Sequence, residues 1–284
     1  MDDIGKAGAG GDDLPVSPGE DGAPAERDPN DPAAAGDDPR RIRLPAEEAA
    51  WDTLLEVGSQ VVAKGDLVVL PTDTVYGVGC DPFNPAAVSR VFAAKARGRD
   101  VPLPVLVHSS RQALGLVEEL TDSAKALIAA FWPGPLTIVL REARDLGWNL
   151  GQSEGTVALR MPKQQFALAL IRRTGPLAVT SANLSGRPTP ATVPEIMDQL
   201  DEGVGVYFDA GPATGGEAST IVDLTGPEPR VLRTGAIPPA EIDRVLAEAR
   251  QVAEPVAEPP PVQPAEQPGE TTPEPPPDPP AGGA

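Results

Sequence analysis

The run Leu67-Val68-Val69-Leu70 is short, apolar and rich in β-branched side chains, and Pro71 stops it, so it reads as a buried strand feeding a polar loop. The preceding segment, 46–64, carries Trp51, Leu54, Leu55, Val61 and Val62 at helical spacing, with Gly65 placed to end the helix. Beyond the polar loop, Asn84 and Pro85 read as an N-cap and a first helical residue. Val88, Val91 and Phe92 form the apolar face of that helix, which delivers Lys95 and Arg97 at its end. Further strands are expected at 105–107, 136–140, 157–159, 177–180, 206–208, 220–224 and 230–232, and helices at 121–131, 164–173, 192–200 and 239–250. Strands and helices mixed in this way predict one open α/β domain of about 200 residues.

Composition sets the limits of that domain. Residues 1–40 hold eleven acidic side chains, three basic ones and six prolines, while residues 251–284 hold twelve prolines, six acids and no base. Chains so poor in large apolar side chains cannot offset the entropy of ordering a backbone. The expected organisation is therefore a disordered acidic extension at 1–41, a folded domain at 42–250 and a disordered Pro/Glu-rich tail at 251–284. Of the net charge of −19, the part between the tails carries only −5. An acidic balance does not draw nucleic acid or anionic lipid over a whole surface, so such contacts would need a local basic patch. Cys80 is the only cysteine, which excludes an internal disulfide and a cysteine-rich metal site. The first residues are acidic, and no apolar stretch approaches the ~20 residues of a membrane span, so a reducing cytoplasm and no membrane are expected.

Several familiar sites are excluded. The chain has no Gly-x-x-x-x-Gly-Lys-Ser/Thr loop and no Gly-x-Gly-x-x-Gly after a strand. His108 is the only histidine and Gly-x-Ser-x-Gly is absent, which argues against a histidine-activated serine. What remains is a series of strand ends rich in hydroxyls, amides and cations. These are Pro71-Thr72-Asp73-Thr74-Val75-Tyr76-Gly77, Lys95-Ala96-Arg97, Trp132-Pro133-Gly134-Pro135-Leu136-Thr137, Thr180-Ser181-Ala182-Asn183-Leu184-Ser185-Gly186, Ser219-Thr220 and Leu232-Arg233. Taken singly they are ordinary turn formers and caps. Together they place donors where open α/β sheets bind ligands, outside the carboxyl ends of strands. Cations and neutral donors without a paired acid and base suit a site that positions and neutralises phosphates or carboxylates.

The order and wording of these motifs over residues 42–240 resemble the threonylcarbamoyl-AMP synthases built on the YrdC-like domain. The resemblance implies a single open, twisted, mixed sheet flanked by helices, in a short, single-domain form. It implies condensation of L-threonine, bicarbonate or carbon dioxide, and ATP into L-threonylcarbamoyladenylate with release of pyrophosphate, a step toward N6-threonylcarbamoyladenosine in tRNA. Thr74, Ser219 and Arg141 would then hold threonine. Lys95, Arg97 and Arg233 would surround the triphosphate, with Lys95 and Arg97 acting at the bond that breaks, and Thr137, Ser181, Asn183 and Thr189 would bind the nucleotide. Magnesium is expected with ATP, with no protein metal site of its own. A tRNA threonylcarbamoyl transferase complex would consume the product, and a weak double-stranded RNA or tRNA contact is a secondary expectation. Some members place a histidine where this chain has Leu106; His108 stands two residues further on and is left out of the site.

The competing reading is an RNA-binding or ribosome-assembly module whose cationic concavity grips a backbone without catalysis. The acidic balance opposes it. A related carbamoyl-adenylate enzyme of hydrogenase maturation would need zinc-binding cysteines that a single Cys80 cannot supply.

Overall fold

The computed structural model describes residues 38–200 and 203–253, so the expected tails lie outside the described residues except at 38–41 and 251–253. In chain order the strands are β1 (Arg41–Arg43), β2 (Leu67–Leu70), β3 (Gly77–Cys80), β4 (Val105–Leu106), β5 (Leu136–Arg141), β6 (Thr156–Arg160), β7 (Leu177–Ser181), β8 (Val204–Asp209), β9 (Thr220–Asp223) and β10 (Arg230–Arg233). The helices are α1 (Asp52–Ala63), α2 (Pro85–Ala94), α3 (Ser110–Leu114), α4 (Asp122–Phe131), α5 (Gln165–Thr174), α6 (Val193–Met197) and α7 (Pro239–Ala253). The strands form one mixed sheet in the order β1-β8-β2-β3-β7-β4-β6-β5-β9-β10.

All four residues of β2 are buried, and the alternation of a strand divides them between two cores. Leu67 and Val69 join the larger core with residues of α2, α4, α6 and α7. Val68 and Leu70 join a second core with Phe166, Leu170 and Ile171 of α5 and Val62 of α1. Helices thus cover both faces. In the second core Trp51 meets Phe166 edge-on at 5.4 Å between ring centroids, and Phe166 meets Phe208 at 4.7 Å.

Four local differences from the sequence expectation have physical causes. The helix expected from residue 46 starts at Asp52, because the Trp51 indole donates to the Pro45 carbonyl at 2.9 Å and folds 45–51 into a tight turn containing the 3-10 segment Glu48–Ala50. Strand β3 was concealed by its two glycines, which propensity counts against a strand. A Cβ at Gly77 or Gly79 would stand 2.5 or 2.6 Å from the methyls of Val179 on the neighbouring strand, so close strand-to-strand packing requires them. Helix α3 is only five residues long and rests on one cap, Ser109 Oγ accepting from Gln112 N at 3.2 Å. At the boundaries, Arg41 already belongs to β1, paired in parallel with β8, and α7 continues to Ala253.

Phe166 is fully buried between two aromatic neighbours. Phe166→Ala is therefore expected to lower stability by about 3–5 kcal/mol, read as a shift of the urea midpoint with the far-ultraviolet circular dichroism of the native state unchanged.

Candidate functional site

The Lys-x-Arg motif lies in the reversal that ends α2. Arg97 N donates to Phe92 O and Ala96 N to Ala93 O, both at 2.9 Å. This is the paired bonding of a Schellman turn, whose reversing residue is usually glycine. Here that residue is Ala96, held at φ +47°. The reversal sends Lys95 inward and Arg97 to the loop above.

Lys95 is only 1 % exposed. Its ammonium donates to the carbonyls of Ser181 and Asn183, the latter at 2.6 Å, and more weakly to Asn183 Oδ1 at 3.4 Å. Asn183 Nδ2 donates to the carbonyls of Leu184 and Arg187 at 2.8 Å each, and its Oδ1 accepts from Thr189 Oγ1 at 3.2 Å. Lys95, Ser181, Asn183 and Thr189 are thus brought together as one built turn. Lys95 supports that turn from beneath, with its protons aimed at carbonyls of the protein. Burial, and secondarily the nearby Arg97 charge, brings its pKa down to about 8. Arg97 is half-buried. It donates to Thr180 Oγ1 at 3.2 Å, to Val101 O at 3.0 and 3.2 Å and to Pro102 O at 3.3 Å.

On the other side of the site the β2–β3 loop folds on itself. Thr72 Oγ1 donates to Val75 O at 2.6 Å and lies 3.0 Å from Thr74 Oγ1. Tyr76 O accepts from Ala182 N at 2.8 Å, which ties this loop to the Ser181–Asn183 turn. The residue that joins it to the rest of the sheet is one the sequence reading missed, Arg160 at the end of β6. Its Nη1 donates to Thr74 Oγ1 at 2.8 Å and its Nε to Gly134 O at 3.0 Å. Its Nη2 lies 2.8 Å from Asp73 Oδ1 as an ion pair, but off the axis of a hydrogen bond. Asp73 thus meets it as a charge partner rather than as a well-aligned acceptor. Burial lowers the pKa of Arg160, Asp73 opposes that shift, and Arg233 adds to it by repulsion. The signal available in sequence was an arginine closing an apolar strand just before Met161-Pro162.

Beyond Gly134, Thr137 Oγ1 lies 2.8 Å from Ser219 Oγ, and both residues are buried. Arg233 Nη2 donates to Ser219 O at 2.8 Å and to Ser219 Oγ at 3.1 Å. The pairing β6–β5 antiparallel, β5–β9 parallel and β9–β10 antiparallel explains why Arg160, Thr137, Ser219 and Arg233 share one edge. Carboxyl and amino ends of strands both contribute, unlike the carboxyl-end arrangement expected. Arg141 is not brought in. It lies four residues past Thr137, roughly 13 Å along β5, exposed in a groove with Glu118, Glu142 and Trp148. The reason is that β5 runs away from the site, so the arginine that reaches Thr74 belongs to its neighbour β6. His108 is occupied with Gln112, its Nδ1 2.9 Å from Gln112 Oε1. Among the described residues no group of three or more His, Cys, Asp and Glu could hold a metal ion, and no helix is long and apolar enough to cross a membrane.

Comparison with known proteins adds to this geometry. The family model Sua5_yciO_yrdC, described as Telomere recombination, matches residues 60–235. A protein of Mycobacterium tuberculosis (strain ATCC 25618 / H37Rv) named "Putative threonylcarbamoyl-AMP synthase" is 50 % identical over 185 residues, which are 65 % of this chain and 85 % of that protein. The threonylcarbamoyl-AMP synthase of Pyrococcus abyssi is 36 % identical over 210 residues, and the match spans 74 % of this chain and 62 % of that longer protein. Among solved structures, Pyrococcus abyssi Sua5 complexed with L-threonine superposes with a TM-score of 0.65 at 34 % identity, over 73 % of this chain and 60 % of that one.

Two measurements test this construction. Ala96→Gly is expected to raise stability by about 1 kcal/mol, since glycine adopts the left-handed conformation without the Cβ clash; no gain in thermal melting would contradict the reversal described. For Lys95 the folded pKa lies below the ordinary lysine value, so between about pH 8 and pH 10 the unfolded chain binds the additional proton and wild-type stability rises with pH. The wild type should therefore gain stability relative to Lys95→Met across that window, measured by denaturant titration; a flat difference would show that Lys95 is not desolvated.

Proposed function

The chain belongs to the Sua5_yciO_yrdC family, and on that premise we propose that it is an L-threonylcarbamoyladenylate synthase, condensing L-threonine, bicarbonate or carbon dioxide, and ATP with release of pyrophosphate. The observation that carries this reading is the buried Arg160 guanidinium placed beside the Thr74 hydroxyl, its Nη2 paired with Asp73 off the axis of a hydrogen bond. A carboxylate suits it, because a guanidinium offers forked donors to two oxygens. In this proposal Arg160 and Thr74 take the amino-acid carboxylate, with Ser219 close behind.

The threonine amine attacks carbon dioxide and loses a proton, giving N-carboxythreonine. Its new carboxylate attacks the α-phosphorus of ATP, the bond from that phosphorus to the bridging oxygen breaks, and pyrophosphate leaves. Arg97 and Arg233 are the cations nearest the open side, and they offset charge gathering on the leaving group. The Ser181–Thr189 turn, held from beneath by Lys95, forms the nucleotide side. Close placement of a labile carbamate and a phosphate supplies much of the rate. Magnesium enters with the nucleotide, as MgATP. A transferase that modifies tRNA consumes the adenylate, and the reaction belongs in a reducing cytoplasm.

The test is pyrophosphate release by the purified chain with ATP and bicarbonate, with and without L-threonine. Release should depend on threonine. Arg160→Ala should raise the threonine KM and Arg97→Ala the ATP KM, each lowering kcat/KM by about a hundredfold. RNA binding without threonine-dependent release would transfer support to the non-catalytic reading.

A further inference from the structure

Strands β5 and β6 are antiparallel neighbours, yet residues 142–155 connect them, where a hairpin needs roughly 2–5 residues. The added length does not hang free. Trp148 stacks on Phe83 at 5.5 Å and donates from Nε1 to Glu142 Oε2 at 2.9 Å, fixing the near end of the connection. The chain then crosses the loop that follows Lys-x-Arg. Leu103 N donates to Leu150 O and Gln152 N to Arg99 O, both at 2.8 Å. Arg99 Nη2 donates to Asn149 Oδ1 at 2.9 Å and to Asn149 O at 3.1 Å. Leu150 is 2 % exposed, in the same core as Phe92 and Leu103. At Gly151, with φ +115°, a Cβ would stand 2.7 Å from Arg99 O and 3.2 Å from Pro102 Cα.

These contacts fall on the segment that orients Arg97. The guanidinium of Arg97 takes its plane from the carbonyls of Val101 and Pro102. Those carbonyls lie between the two points, Arg99 and Leu103, at which residues 149–152 are bonded to the loop. We infer that residues 149–152 are a positioning strap for Arg97: they fix the 99–103 loop, and through its carbonyls the direction in which Arg97 meets the nucleotide. Gly151 is the central element, since any side chain there would lift the strap from Arg99 and Pro102. The inference rests on the reading that Arg97 contacts the triphosphate of ATP.

The experiment compares Gly151→Ala, Asn149→Ala and Arg97→Ala in steady-state pyrophosphate release, with ATP and threonine varied separately and melting temperatures recorded. Gly151→Ala is expected to raise the ATP KM about tenfold, as for a displaced binding group, while the threonine KM stays within about twofold. Asn149→Ala, which keeps the backbone intact, should raise the ATP KM about threefold. In an Arg97→Ala background either substitution should add less than about twofold, because strap and arginine act through one contact. Equal rises in both KM values, or full additivity with Arg97→Ala, would overturn the inference. If Gly151→Ala does not fold, Asn149→Ala decides by the same criteria. Should Arg97→Ala leave the ATP KM unchanged, the reading of Arg97 fails and the strap's purpose with it. Should Arg97→Ala raise it while the folded strap variants do not, the strap alone is overturned.

Discussion

A guanidinium out of water must have partners, and the choice of partners for Arg160 shapes this site. Its three nitrogens reach Gly134 O, Thr74 Oγ1 and Asp73. They thereby join a loop from one part of the sheet to the turn that precedes β5. The pairing across the two-residue β4 would otherwise set these regions at opposite ends, since β4 is antiparallel to β7 and parallel to β6. Removing one partner of such a buried charge costs far more than the net gain from forming the pair, so this arrangement is specified more strongly than it is stabilised. The β2–β3 loop and the turn before β5 are both placed relative to that side chain.

The other side is built on the same principle with a different cation. Lys95 converges on carbonyls, and the turn that carries Ser181, Asn183 and Thr189 closes around it. Two buried cations thus act as internal supports, while the more open Arg97 and Arg233 are bonded to Val101, Pro102 and Thr180 and to Ser219. On the function proposed above, such a site would work by placing dipoles and charges before the reactants arrive.

The large features of the fold were legible because they follow from local patterns. The uniform burial of β2, the Asn84 cap of α2 and the helical spacing of α4, α5 and α7 all appear where sequence periodicity places them. Strand β3 was hidden because Gly77 and Gly79 answer to Val179, a contact about a hundred residues away in sequence that no local window contains. Arg160 was hidden for a related reason. An arginine at a strand end usually signals solvent, and only tertiary pairing with Asp73 makes it a buried one. Arg141 was read into the site on resemblance alone, and the direction of β5 carries it away. Residues that touch each other across the sheet are where sequence reading stops.

Among the described residues the sheet is ten strands wide, and its two outer strands carry backbone groups that could accept a strand from another molecule. Here β1 reads Arg41-Ile42-Arg43 and β10 reads Arg230-Val231-Leu232-Arg233. Each edge is bracketed by guanidinium groups. A second copy laid edge to edge would have to displace these long side chains, of which Arg41 and Arg43 share Asp209 and Arg230 pairs with Asp223, so the width of the sheet does not by itself invite it to grow.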